Sequence, residues 1–350
     1  MSTESGAAPA IVALGGGHGL YATLSAARKL SSRLTAVVTV ADDGGSSGRL
    51  RSELGVIPPG DLRMALAALA GPEAGPWTET VQHRFGGTGA LAGHSVGNLI
   101  LAGLTEVLGD PVAALEELAK VLRIEGRVLP MASIPLDIEA DVAGLEEDPR
   151  VSRCIRGQVA VATTPGKVRR VRLIPSDPPS PSEAIDAVTH ADLVVLGPGS
   201  WFTSVLPHML VPDLFEALVM TRARKVLVLN LAAQPGETAG FSAERHLHVL
   251  AQHAPGFGVD HVLVDSGSVP EGREREHLQR AAEQLGGTIT FADVAESGTH
   301  RHHPGKLAAA LAQLSVAETD VGAVPAGGLG SVGLGRRMPR ISGKERASWR

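Results

Sequence analysis

The chain has 350 residues, of which 43% are hydrophobic, 20% are charged and 3% are aromatic, with a formal net charge of −5. This content suffices for a sizeable core, and the charge gives no argument for a nucleic acid or an anionic membrane as partner. The first residues lack the features of a signal peptide, and no uncharged apolar run reaches membrane-spanning length. The single cysteine, Cys154, excludes an intramolecular disulfide. We therefore expect a cytoplasmic protein.

The first 40 residues predict a strand, a glycine turn, a helix and a second strand. Residues 1–9 are predicted to be a flexible leader, and Ile11–Leu14 a short buried strand that runs into GGGHG. Apolar residues then recur at helical spacing through YATLSAARKL, and LTAVVTV follows as a β-branched strand. This order predicts an α/β protein with a doubly wound, mostly parallel, Rossmann-like sheet.

The later elements repeat this theme. Helices are predicted in GDLRMALAALA, GHSVGNLILAGLTEVLG and DPVAALEELAKVL, with Asp110 as the N-cap of the last of these. The segments ADLVVLGPGS, KVLVLNLAAQPGE and HVLVDSGS predict three more buried strands that end in polar turns. The segment QVAVATTPGKVRRVRLIP predicts a small hairpin insertion, two strands around a Pro-Gly turn.

The last part of the chain differs in composition. Residues 326–350 carry six basic groups against one acidic residue, and the segment has no helical or strand period. We predict a disordered basic tail over residues 318–350, either solvated or an interaction arm, which leaves residues 10–317 as one folded domain.

The glycine turn after the first strand is a candidate phosphate site. Glycines at this place let the backbone approach a phosphate, and the start of a helix supplies free N–H groups. The match to G-x-G-x-x-G is imperfect because Leu20 holds the last position. The alternative is a turn that only lets strand and helix pack. The candidate residues are Gly15, Gly16, Gly17, His18 and Gly19.

The segment VVTVADDGGSSGRLR places a second polar turn at the end of the second strand, which lies beside the first in a doubly wound sheet. Asp42 stands about where a Rossmann protein binds ribose hydroxyls, and Asp43 could do the same or hold a divalent metal such as magnesium. The serines and arginines offer hydrogen bonds to anionic oxygens. The alternative is an Asx-capped loop with an internal Asp–Arg pair. The candidate residues are Asp42, Asp43, Gly44, Ser46, Ser47 and Arg49.

Four further segments contribute candidates to the same edge of the sheet. PPGDLR places Asp61 as a helix N-cap. GHSVGNL places Asn98 at the start of an apolar helix, where an asparagine is unfavourable unless its side chain has a hydrogen-bond partner. For both segments a plain capped helix is the alternative. LGPGSWFTSVLP and NLAAQPGET follow later strands as polar turns, and no catalytic or metal-ligating residue is assigned. These candidates are Asp61, Arg63, His94, Ser95, Asn98, Gly197, Gly199, Ser200, Thr203, Ser204 and Asn230.

The motifs GGGHGL, VVTVADDGGSSGRLR, GDLRMALAAL, GHSVGNLILAGL, ADLVVLGPGSWFTSVLP and QPGETAGFSAERHL occur in this order. Over residues 11–315 the chain resembles the CofD-like superfamily. One branch is 2-phospho-L-lactate transferase; the other is YvcK, the gluconeogenesis factor, which binds UDP-sugars such as UDP-N-acetylglucosamine. The form TVADDGGSSGRLR is similar to the YvcK branch. His18 stands where the family usually has threonine.

Three functional hypotheses follow. The resemblance implies a UDP-sugar-binding regulatory protein without turnover, which supports cell shape and cell-wall synthesis on gluconeogenic carbon sources. It would act on a cell-wall regulatory protein, and pairing of two copies is open. The second hypothesis is a phospholactyl transferase that uses a guanylylated donor and a divalent metal. The third is a dinucleotide-binding protein, and the residues alone do not choose among the nucleotides.

Overall fold

The computed structural model describes residues 8–148, 150–234 and 236–315. The predicted basic tail and all but residues 8 and 9 of the predicted leader lie outside this part of the chain, so both stay predictions, as do the predicted domain bounds. The strands are β1 (Ile11–Gly15), β2 (Leu34–Val38), β3 (Arg127–Pro130), β4 (Asp137–Ala143), β5 (Ser152–Arg156), β6 (Lys167–Ile174), β7 (Leu193–Leu196), β8 (Arg224–Val228), β9 (His261–Asp265) and β10 (Thr288–Ala292).

The helices connect these strands, and five of them, α2 to α6, lie between β2 and β3. They are α1 (Gly17–Ala27), α2 (Gly45–Leu54), α3 (Gly60–Leu69), α4 (Trp77–Gln82), α5 (Val96–Leu108), α6 (Pro111–Val121), α7 (Gln158–Ala162), α8 (Ser182–Thr189), α9 (Pro212–Met220), α10 (Ala243–His253), α11 (Arg273–Gln284) and α12 (Pro304–Ser315). A π-helical turn, Trp201–Val205, and a 3₁₀ turn, Leu206–Leu210, join β7 to α9.

Seven strands form one parallel sheet in the order β10-β9-β8-β7-β1-β2-β3, which confirms the predicted α/β fold. The Val, Leu, Ile and Ala side chains of the inner strands are at most 2% exposed, as expected for strands covered on both faces. The chain leaves β1 toward β2 on one side and later returns to β7 on the other side. The order therefore reverses between β1 and β7, where ligands bind in open α/β sheets.

A second, antiparallel sheet in the order β5-β4-β6 confirms an antiparallel insertion but corrects the predicted hairpin. Gln158–Ala162 is the short helix α7 rather than a strand, and β6 pairs with β4. The alternating valines of this segment suggest a strand, but Val161 is buried while the N–H of Val159 donates to the Asp43 carboxylate. A tertiary contact therefore decides the local structure.

Among the described residues, no single helix is long and apolar enough to cross a bilayer. Together, the segments Trp201–Leu210 and Pro212–Met220 have the length and apolar composition of a membrane-spanning helix, but they are bent by 81° where they join.

The predicted N-cap of α6 is confirmed, and it yields a stability prediction. The Asp110 carboxylate accepts the N–H groups of Val112 and Ala113, at 3.0 and 3.3 Å. Asp110→Ala leaves these donors without that partner, so we expect it to lower the free energy of unfolding by about 1 kcal/mol. Urea denaturation measures the change. The exposed Asp177→Ala is the control, and equal midpoints for the two variants would contradict the assignment.

Candidate functional site

The first predicted glycine turn lies at the carboxyl end of β1, where the chain enters α1. Gly17 has φ of 54°, in the left-handed region that favours glycine. A Cβ atom at Gly16 would lie 2.5 Å from Oδ2 of Asp61 and 3.2 Å from Oγ of Ser204. Gly16 therefore lets the start of α3 and the turn after β7 approach the end of β1 closely.

Asp61 does not cap α3, so its predicted N-cap role is wrong. The N-cap is Pro59, and the Asp61 carboxyl group lies instead against the N–H of Gly17. Burial raises the pKa of Asp61 to about 7, and repulsion by Asp42 adds to this, whereas the N–H of Gly17 and the Arg63 guanidinium act in the opposite direction. Asp61 is therefore protonated for part of the time near neutral pH and can then donate a hydrogen bond.

The adjacent carboxylates of the second turn have different partners. Oδ1 of Asp42 accepts the N–H of Gly44 at 2.9 Å, while its Oδ2 lies 3.3 Å from where a Cβ of Gly60 would be. Oδ1 of Asp43 accepts the N–H of Val159 at 2.9 Å and so holds the start of α7. Asp42 thus faces α3, and Asp43 reaches the antiparallel insertion.

The two arginines of this segment bond to residues outside the turn. Arg51 forms an ion pair with Asp137 of β4. Nη2 of Arg49 donates to the carbonyl of Ala92 at 2.7 Å. Neither Arg49 nor Arg51 therefore forms the Asp–Arg pair inside the loop that the sequence offered as an alternative.

A buried chain of hydrogen bonds joins α2, α3 and α5. Oγ of Ser46 lies 3.0 Å from Nδ1 of His94 and accepts the side-chain N–H of Asn98 at 3.0 Å. Nε of Arg63 donates to Oδ1 of Asn98 at 2.8 Å. Burial lowers the pKa of His94, with the positive charge of Arg49 as the second cause, so the imidazole is neutral at pH 7. Asn98 has the partners that its place in an apolar helix requires.

Ser47 and Ser95 lie at the starts of helices α2 and α5. Oγ of Ser47 accepts the N–H of Gly60 at 3.0 Å and links α2 to α3. Ser95 is the N-cap residue of α5 and is fully buried, and its Oγ makes no hydrogen bond within the described part of the chain.

An open cleft of about 670 Å³ lies beside the start of α2. Two guanidinium groups, those of Arg49 and Arg84, border it together with the first turn of the helix. Both the helix N-terminus and these cations favour an anion. The lining residues are Asp43, Gly45, Ser46, Gly48, Arg49, Ser52, Glu53, Arg84 and Gly93.

The turn after β7 is held by two side chains from the next polar loop. The Asn230 amide accepts the N–H of Gly199 at 2.9 Å and donates to its carbonyl at 2.8 Å. The carboxylate of Glu237 lies against Ser200 and Thr203, whose hydroxyls favour its ionised form, but burial outweighs them and raises its pKa. Sequence reasoning missed Glu237; its place in QPGET, after a strand, was the available signal.

The other predicted residues either shape the backbone or lie away from the polar side chains described above. Gly197 has φ of 69°, and a Cβ at Gly19 would overlap the carbonyl of Pro198, which agrees with the packing alternative for that glycine. Gly15 ends β1. His18 is exposed on α1, and no described contact brings it to the carboxylates. Arg84 of the cleft was also missed, because it lies in a loop without a motif.

The described residues contain no group of three or more His, Cys, Asp or Glu side chains arranged to hold a metal ion. Asp42 and Asp61 are near neighbours, and magnesium in proteins is commonly held by one or two carboxylates together with phosphate oxygens and water. The residues therefore fit magnesium only together with a phosphate-bearing ligand.

The chain is similar to a known protein family and to a solved structure. The family model described as "2-phospho-L-lactate transferase CofD" matches residues 11–298. A crystal structure of a UPF0052 family member from Bacillus halodurans has a TM-score of 0.76 at 36% identity and covers 86% of this chain and 98% of its own.

Similar curated proteins carry gluconeogenesis-factor names. A Mycobacterium leprae relative is 64% identical over 337 residues, which are 96% of this chain and 94% of that protein. A Mycobacterium tuberculosis relative is 69% identical over 315 residues, 89% of this chain and 92% of that protein. The Bacillus subtilis protein named "Gluconeogenesis factor" is 41% identical over 278 residues, 79% of this chain and 85% of that protein. The chain belongs to the CofD-like superfamily, in its YvcK, or gluconeogenesis-factor, branch.

Proposed function

We propose that the chain is a cytoplasmic regulatory protein that binds a UDP-sugar, such as UDP-N-acetylglucosamine, without turning it over. The observation that carries this proposal is the cleft beside the start of α2, which the guanidinium groups of Arg49 and Arg84 border. Asp42 adjoins this helix start through its bond to the N–H of Gly44, and Asp61 lies near Asp42. The gluconeogenesis-factor names of the relatives support a role in gluconeogenic growth.

The parts of the ligand match the parts of the site. The first turn of α2 and the two arginines suit the diphosphate, because N–H groups and guanidinium forks bind anionic oxygens. Asp42, at the end of β2, suits the ribose hydroxyls. Asp61 in its protonated form donates a hydrogen bond to a ligand oxygen, and in its ionised form it repels the diphosphate.

A regulatory role requires that the ligand bind one conformation better than another. The insertion is a suitable reporter because Asp43 and Arg51 bond to it from the two ends of α2. We propose that a cell-wall regulatory protein, or a second copy of the chain, responds to this change and thereby affects cell shape.

The second candidate is a phospholactyl transferase with a guanylylated donor and magnesium. The family description and the adjacent carboxylates of Asp42 and Asp61 favour it. If it held, Asp42 and Asp61 would bind the metal with the donor's phosphates.

A ligand panel separates the candidates. UDP-N-acetylglucosamine, UDP-glucose, GDP and NAD are added to the full chain, with and without magnesium, and unfolding is followed by thermal shift. A ligand at about 100 times its Kd stabilises by about 2.7 kcal/mol. We expect only the UDP-sugars to stabilise the chain, Asp42→Asn to abolish the effect and Asp177→Asn to preserve it. Stabilisation by GDP with magnesium alone would replace the regulatory proposal with the transferase.

The raised pKa of Asp61 predicts a pH-dependent stability. Between its ordinary pKa of 3.8 and its folded value of about 7, the folded state holds a proton that the unfolded state has lost, so stability falls as pH rises and then levels off. Asp61→Asn removes this dependence. The difference in free energy of unfolding, variant minus wild type, should therefore be about 2 kcal/mol larger at pH 7 than at pH 5. Urea unfolding at both pH values measures this, and parallel profiles would refute the assignment.

A further inference from the structure

Buried polar atoms without a hydrogen bond are concentrated at one place in the fold. In the part of the chain that the structure describes, eleven buried side-chain N or O atoms have no partner, and five belong to one group of residues. We call this group the Trp201 cluster; its members are Gln158, Trp201, Gln234, Glu237 and His246. Nearly all buried polar atoms in native proteins are paired, so such a concentration points to a missing partner.

Four segments bring the cluster together. The rings of Trp201 and His246 lie edge to face, with centroids 5.0 Å apart. Oε1 of Glu237 accepts the N–H of Phe202 at 3.0 Å, which fixes the polar loop after β8 to the turn that carries Trp201. Helix α7, which begins at Gln158, packs on the same turn.

The unpartnered atoms are mostly acceptors. Nδ1 of His246 lies 2.9 Å from the carbonyl of Ser242, so it carries the proton, and burial keeps the ring neutral by lowering its pKa. Nε2 of His246 is then an acceptor, as is Oε2 of Glu237, whereas Nε1 of Trp201 is a donor. Hydroxyl groups both donate and accept, and the C–H faces of a sugar ring pack on aromatic rings. A phosphate, which brings acceptors and negative charge, does not suit Glu237.

The cluster adjoins the proposed diphosphate cleft through the start of α7. The N–H of Val159, the residue after Gln158, donates to the carboxylate of Asp43, which lines that cleft. A Cβ atom at Gly44, just before α2, would lie 3.0 Å from Cγ2 of Val159. The first turn of α7 therefore links the two places.

We infer that the Trp201 cluster binds the hydroxyl groups of the sugar moiety of the ligand. The inference rests on the proposed UDP-sugar site and adds the part of the protein that distinguishes a nucleotide sugar from the free nucleotide. The cluster atoms are closed off from solvent, and α7 lies over the turn, so the sugar enters when α7 shifts. The bond from Val159 to Asp43 connects that shift to the loop before α2, which borders the proposed diphosphate cleft.

Calorimetric titration of the full chain with UDP and with UDP-N-acetylglucosamine tests this inference. We expect the wild type to bind the sugar nucleotide at least tenfold more tightly than UDP. Glu237→Gln keeps a carbonyl oxygen for the N–H of Phe202 but replaces the free acceptor with an N–H₂ donor. The ratio of the two Kd values should fall about tenfold in this variant, with the Kd for UDP within twofold of the wild-type value.

The matched control is Glu216→Gln, an exposed glutamate on α9 that should leave the ratio unchanged. A ratio near one in the wild type, or an unchanged ratio in Glu237→Gln, would overturn the inference and leave the proposed UDP site standing. If the wild type bound neither compound, the proposed function would be wrong, and the inference that rests on it would be wrong as well.

Trp201 supplies a readout that does not depend on affinity. In a chain with Trp77→Phe and Trp349→Phe, Trp201 is the remaining tryptophan of the sequence, and it is fully buried without a hydrogen bond to Nε1. The sugar nucleotide should red-shift its emission as a hydroxyl accepts from Nε1, whereas UDP should not. Identical spectra with both compounds at saturation would contradict contact with the sugar.

Discussion

The close approach of three segments at Gly16 sets the geometry of the carboxyl edge of the sheet. The end of β1, the start of α3 and the turn after β7 meet where any larger residue would overlap the Asp61 carboxyl group. This packing partly shields Asp61 from water and places it beside Asp42, and both effects favour its protonated form. The absence of a side chain at Gly16 thereby contributes to the raised pKa of Asp61.

A second constraint holds the start of α2 in place. The series Arg63, Asn98, Ser46 and His94 is hydrogen-bonded from end to end and buried, so the start of α2 is fixed relative to α3 and α5 before any ligand arrives. Preorganised N–H groups bind an anion without the entropic cost of ordering a loop. The polar residues of this segment are therefore partly scaffold, and not all of them are free to contact a ligand.

The insertion connects the site to the surface. Arg51 and Asp43, from the two ends of α2, bond to β4 and to α7. Cys154, on the edge strand β5, is exposed, and its Sγ accepts an N–H of the Arg172 guanidinium at 3.2 Å. A displacement of the loop that precedes α2 therefore reaches the insertion directly.

The parallel sheet, the α6 cap and the polar turns that follow the strands could be predicted from the sequence, because apolar runs and glycine turns are local signals. It also supported the family, through motifs in a fixed order. The roles of Asp61, Asn98 and Glu237 follow from the three-dimensional fold, because each depends on a partner far away in the chain: Gly17, Arg63 and Phe202. The helical form of α7 was decided in the same way, since a carboxylate more than 100 residues earlier holds its first turn. Local pattern cannot encode such contacts, which exist only once the sheet has brought its strand ends together.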